Sequence, residues 1–61
     1  MKLKIEIEME NEAFEADRLG EASRILRGMT AGLRHNGMNV GDVITLRDIN
    51  GNTVGKAEVV A

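Results

Sequence analysis

The sequence predicts a two-layer α+β domain of β-α-β-β order, a three-stranded sheet in the order 1-3-2 with one helix on one face. Three observations predict it. Residues Lys2 to Met9 alternate strictly between apolar and charged, Arg18 to Asn36 repeat at the helical period, and Asn50-Gly51 stands between two strand-like runs. The 61 residues make one domain, residues 1–61, near the lower limit for independent folding.

In the first element Leu3, Ile5, Ile7 and Met9 alternate with Lys2, Lys4, Glu6 and Glu8. Period two with one charged face defines a half-buried strand. Residues 10–17 are acidic, with Phe14 as their only large apolar group. They are expected to form a loop that drops Phe14 onto the end of the core, with Asp17 as N-cap of the following helix.

In the helix Leu19, Ala22, Leu26, Met29 and Leu33 fall three or four residues apart, and this stripe is expected to face the sheet. Ile25 sits at its edge. Asn36-Gly37 is a strong stop, because Gly past a helix end takes the left-handed conformation without a Cβ clash. Gly28 and Gly32 each cost about 1 kcal/mol relative to Ala inside a helix, so the backbone there is expected to approach a neighbour closely. Arg24, Ile25, Gly28, Ala31, Gly32 and His35 form the candidate interface on this flank, suited to pairing with a second helix.

Asn-Gly between alternating runs is the strongest short hairpin signal. A two-residue turn at Asn50-Gly51 sets Arg47 against Val54, Leu46 against Gly55, Ile44 against Ala57 and Val43 against Glu58. One face then carries Ile44, Leu46, Gly55, Ala57 and Val59 toward the helix, Gly55 and Ala57 leaving it room. The other carries Val43, Thr45, Arg47, Val54, Lys56 and Glu58. The third strand, antiparallel to both others, fits between them. Two outer strands remain as edges, where subunits can pair.

Composition narrows the function classes. There is no Cys, one His and one aromatic residue, Phe14. Disulfides, thiolate metal sites and base-stacking surfaces are therefore not expected. Domains of this size usually need a partner or a staple, so self-association, with a dimer favoured, is the expected source of extra stability. Glu6 and Glu8 interrupt any apolar segment near the start, so neither a signal peptide nor a membrane span is expected, and the cytosol is the expected compartment. Net charge is -2, but it is unevenly spread. Residues 1–17 hold two lysines against six acidic groups, and residues 18–35 hold four arginines against Glu21.

No motif points to catalysis or to a cofactor. Asp48 to Asn52 superficially resembles a calcium loop. That pattern needs Gly at its sixth position and Glu at its twelfth, where this chain has Thr53 and Val59. Glu6, Glu8, Glu10, Glu12 and Glu15 read as a solvated face rather than as paired acid–base carboxylates. His35 lacks a nucleophile or orienting partner nearby in sequence and suits the negative end of the helix. Arg24, Arg27 and Arg34 could meet phosphates, but an acidic domain argues against nucleic acid.

Leu33, Asn36-Gly37 and the run Thr45-Leu46-Arg47-Asp48-Ile49-Asn50-Gly51-Asn52-Thr53-Val54-Gly55 resemble the ending of small uncharacterised proteins encoded by bacteriophages and prophages. Asn11-Glu12-Ala13-Phe14 ahead of Arg24-Ile25-Leu26-Arg27 is similar too. The resemblance covers residues 5–58 and departs at Gly28 and Gly32. It implies a phage or prophage origin and carries no catalytic residue. The expected function is that of a non-enzymatic accessory protein acting through protein contacts. A host protein is a possible partner, and an inhibitor of a host defence or transcription complex is the alternative, its acidic residues 6–17 mimicking phosphate. A nucleic-acid module using the basic helix face is the third reading.

Overall fold

The computed structural model describes residues 1–61, the side chains of His35 and Asn36 excepted. The chain forms β1 (Lys2–Ile7), a single 3₁₀ turn (Glu12–Phe14), α1 (Arg18–Asn36), β2 (Val43–Arg47) and β3 (Thr53–Val60). The sheet order is β1-β3-β2, and both outer strands run antiparallel to β3. The last strand of the chain is thus its central one, as the sequence predicts.

Local chemistry sets the boundaries. The Asn11 side chain accepts the Ala13 N–H at 3.2 Å, which starts the 3₁₀ turn and buries Phe14 completely. Asp17 is extended, and its carboxylate accepts the Gly20 N–H at 2.9 Å, satisfying one of the free donors of the first helical turn. Gly37 ends the helix at φ 71°. In the connector, the Asp42 carboxylate accepts the Asn39 N–H at 2.9 Å and delivers the chain to β2.

The hairpin keeps its expected register from Val43 opposite Glu58 to Leu46 opposite Gly55. Its tip differs. Arg47 lies opposite Thr53, so Val54 is an extra residue on β3. The Gly51 N–H donates to the Asp48 carbonyl at 3.0 Å, and the Asp48 N–H to the Asn52 carbonyl at 2.9 Å. Gly51 is left-handed at φ 87°, while Asn50 keeps negative φ. A two-residue type I′ turn needs positive φ at both central positions. The loop is instead a three-residue one, a type I turn closed by Gly51. The bulge corrects the assignment of Val54 to the solvated face, because it turns Val54 into the core.

The core comprises Phe14, Ile25, Met29, Leu46, Val54 and Ala57, with Ile7, Ala13, Ala22, Leu33 and Ile44 packed against it. This overturns part of the expected helix stripe. Leu19 is 78% exposed and Leu26 38%, while Ile25 and Glu21 are buried. The helix is rotated so that Glu21, Ile25, Met29 and Gly32 face inward. A Cβ on Gly32 would stand 3.4 Å from the Ile44 side chain, so this glycine lets the helix sit close to β2. Gly55 serves a different approach from the one expected: a Cβ there would run into the Glu6 carbonyl oxygen. It makes room for β1, not for the helix.

Candidate interaction surface

The helix flank singled out by sequence divides into dissimilar parts. Ile25 is buried in the core, because the helix is rotated so that this residue faces inward. Gly32 is occupied by Ile44. A Cβ on Gly28 would meet open space, and Ala31 is exposed. Arg24, Ile25, Gly28 and Met29 line a shallow depression of about 150 Å³ with residues 44–47 of β2. His35 lies within α1, but its side chain is outside the described residues. The Gly28 flank therefore looks along the outside of β2, and only part of it is free.

Arg24 is committed within the chain. Its Nε donates to Glu21 Oε1 at 2.6 Å, and Nη2 donates to the Arg47 carbonyl at 3.3 Å. The other Glu21 oxygen accepts the Ile49 N–H at 2.9 Å. The Arg24 hydrogen bond is the main influence on Glu21. It outweighs the opposing effect of burial and, with the Ile49 N–H, holds the carboxyl below its ordinary value.

Asp48 is the second centre of this network and only 4% exposed. One oxygen accepts the N–H groups of Asn50 and Asn52, both at 2.9 Å. The other accepts Asn11 Nδ2 at 2.6 Å and Asn52 Nδ2 at 3.2 Å. Burial pushes the Asp48 carboxyl up, but the donors from Asn52, Asn11 and Asn50 together outweigh it and hold it low. An ionised carboxylate with four donors makes charge-assisted hydrogen bonds, and these tie the 3₁₀ turn to the hairpin tip. Among the described residues, every buried side-chain nitrogen or oxygen has a partner. The Asx-type turn at Asp48 is the reading the sequence favours over a calcium loop; its links to Asn11 and to the Glu21–Arg24 pair were not read, although two local signals are present. Glu21 and Arg24 stand at the i, i+3 spacing of a helical pair, and Asp48-x-Asn50 has the form of an Asx turn.

The opposite side of the inner face is bare. Leu3 is 38% and Ile5 41% exposed, although both lie on the face that carries Val59 and Ala57, their register partners on β3. Helix α1 packs on β2 and on the 3₁₀ turn, and its Gly28 flank borders β2. Its opposite flank, with Leu19 and Leu26, therefore looks toward β1 without covering it. The outer face of the sheet is charged and matched across strands, with Lys4 opposite Glu58 and Glu6 opposite Lys56. Lys56 and Glu58 also meet at 3.4 Å.

Among the described residues, no three His, Asp or Glu side chains converge as a metal site would require. No helix among the described residues is long and apolar enough to cross a membrane. Comparison with protein-family models, with curated proteins and with solved structures finds no match to this chain.

Proposed function

We propose that the chain is a non-enzymatic accessory module of phage or prophage origin that works through protein–protein contacts and is homo-oligomeric, most simply a dimer. The observation that carries this reading is the exposed apolar pair Leu3 and Ile5, two residues apart on the core face of the edge strand β1. Apolar residues scattered singly over a surface are ordinary, but a contiguous patch marks an interaction site. The size of the chain points the same way, because a domain this small gains much of its stability from what it binds. The two carboxylates that depart most from solvated behaviour, Glu21 and Asp48, have all their partners within the fold, which favours a structural role for them.

Sedimentation or multi-angle light scattering over a concentration series tests the reading. The weight-average mass is expected to rise toward twice the chain mass between low and high micromolar concentration. A strict monomer at several hundred micromolar would overturn it.

A further inference from the structure

Strand β1 is an edge strand, and the register of the sheet defines which of its backbone groups are free. Val59 directs both its N–H and its C=O toward the β2 side, bonding Asp42 at 3.0 Å and Gly41 at 2.9 Å. In an antiparallel ladder each residue directs both groups to the same side. Leu3, the partner of Val59, therefore directs its own N–H and C=O away from β3, and so do Ile5 and Ile7. The Glu8 N–H donates to the Val54 carbonyl at 2.7 Å, which confirms that the even residues turn inward. Among the described residues, no backbone bond outside the ladder reaches Leu3, Ile5 or Ile7. The edge has no proline and no bulge, two of the devices that block pairing.

We infer that a second copy of this chain pairs with β1 across a two-fold axis at Ile5, antiparallel, with Leu3 opposite Ile7, Lys4 opposite Glu6 and Lys2 opposite Glu8. This rests on the self-association proposed above and specifies its surface. Every register centred on a residue brings the free groups of the odd residues together; an axis at Leu3 sets Lys2 against Lys4, and an axis at Ile7 sets Glu6 against Glu8. With the axis at Lys4, lysine faces lysine at the centre. With the axis at Glu6, glutamate faces glutamate. With the axis at Ile5, every Lys of one copy faces a Glu of the other and every apolar residue faces an apolar one. The charge order of the strand, two lysines followed by two glutamates about Ile5, is antisymmetric about the one point that satisfies both conditions. The two-fold axis stands perpendicular to the sheet, so both helices lie on the same face. The product is one sheet of order β2-β3-β1-β1-β3-β2.

Charge reversal tests the register. The K2E/K4E variant presents four glutamates along the strand, and the E6K/E8K variant four lysines. Like charges directly opposite one another destabilise a strand pair, so each variant alone is expected to dimerise at least about 10-fold more weakly than the natural chain. An equimolar mixture is expected to restore a 1:1 dimer. Circular dichroism checks that each variant is folded, since Lys4 and Glu6 also face Glu58 and Lys56 within the chain.

A second measurement does not depend on charge. The chain has no cysteine, so the I5C variant is expected to form an intermolecular disulfide on mild oxidation. Opposed hydrogen-bonded residues stand at ~5.5 Å between Cα atoms, within disulfide reach. The V43C variant, on the other edge strand, is expected not to crosslink. If the natural chain dimerises but both charge variants dimerise equally well alone, or V43C crosslinks in place of I5C, the β1 register is wrong and a helix-flank or face-to-face dimer takes its place. If the natural chain is a monomer throughout, the self-association reading itself fails.

Discussion

The two flanks of the sheet are finished differently. Over β2, Ile25 and Met29 join Leu46 in the core, Gly32 lets the backbone approach Ile44, and Arg24 reaches past the sheet edge to the Arg47 carbonyl. At the hairpin tip, Asp48 and Glu21 gather seven hydrogen bonds from the 3₁₀ cap, the helix and the hairpin loop. Over β1 there is none of this: Leu3 and Ile5 lie on the core face but stay open. The difference shows how a short chain divides its only helix. A helix is about 10 Å across, and three strands span roughly the same width between their outer axes plus the side chains beyond. One helix seated over an outer strand therefore leaves the far strand uncovered. Here the helix is drawn to the β2 side, where polar groups anchor its first turns.

The largest effect is expected from Phe14→Ala, which removes the fully buried ring that plugs the covered side beneath the 3₁₀ turn. Such a deletion costs about 3–5 kcal/mol, comparable to the whole stability of a domain this size. The variant is expected to lack a cooperative thermal transition by circular dichroism. A retained transition near that of the natural chain would show that the covered side is less decisive than its packing implies.

An intermediate effect is expected from Asp48→Ala, which strands the Asn11 amide and the two turn N–H groups. The melting temperature is expected to fall by roughly 10 °C, read by differential scanning calorimetry at neutral pH. The same carboxylates set an acid limit. Asp48 and Glu21 are both held below their ordinary values when folded, so the unfolded chain binds more protons than the folded one as pH drops. Their contribution is complete above the ordinary carboxylate range of about 4 and is lost as pH falls through the lowered folded values. A pH series of melting curves is expected to be flat from about 7 to 5 and to fall below that, less steeply in Asp48→Ala.

The smallest effect belongs to Leu19→Gln. Taken as part of a buried stripe, Leu19 would be costly to replace. At 78% exposure the change is expected to stay within about 0.5 kcal/mol by urea titration. A loss of several kcal/mol would mean that the first helical turn is covered in solution, by a second copy or by the 3₁₀ segment.

These contrasts follow what the residues could announce. Helix ends were legible because Asp17 and Gly37 act locally, through a cap and a left-handed backbone. Strand order was legible because a hairpin after a helix leaves few ways to pair β1. The rotation of the helix was not. Leu19, Ala22, Leu26, Met29 and Leu33 make the more apolar stripe, and nothing local says that Glu21 turns inward to bind Arg24 and the Ile49 N–H. The bulge at Val54 escaped for a related reason. Asn50-Gly51 suits a two-residue turn, but the Asp48 carboxylate collects the N–H groups of Asn50 and Asn52 and favours the longer loop. Of the candidate flank, Arg24, Gly28 and Ala31 lie at the surface while Ile25 and Gly32 are consumed by packing. The exposed apolar residues come instead from the stripe expected to be core.

The central position of β3 has a consequence for synthesis. Lys2 pairs with Val60, and every rung of both ladders includes a residue of β3. Strand β1 leaves the ribosome before β3 and waits for it. At about 5–20 residues per second that interval lasts roughly 3–10 s, during which the helix can form but no sheet can. Strand β1 is then without its ladder partner on every nascent copy. The strand with the least cover in the finished molecule is also the one that spends longest without any partner.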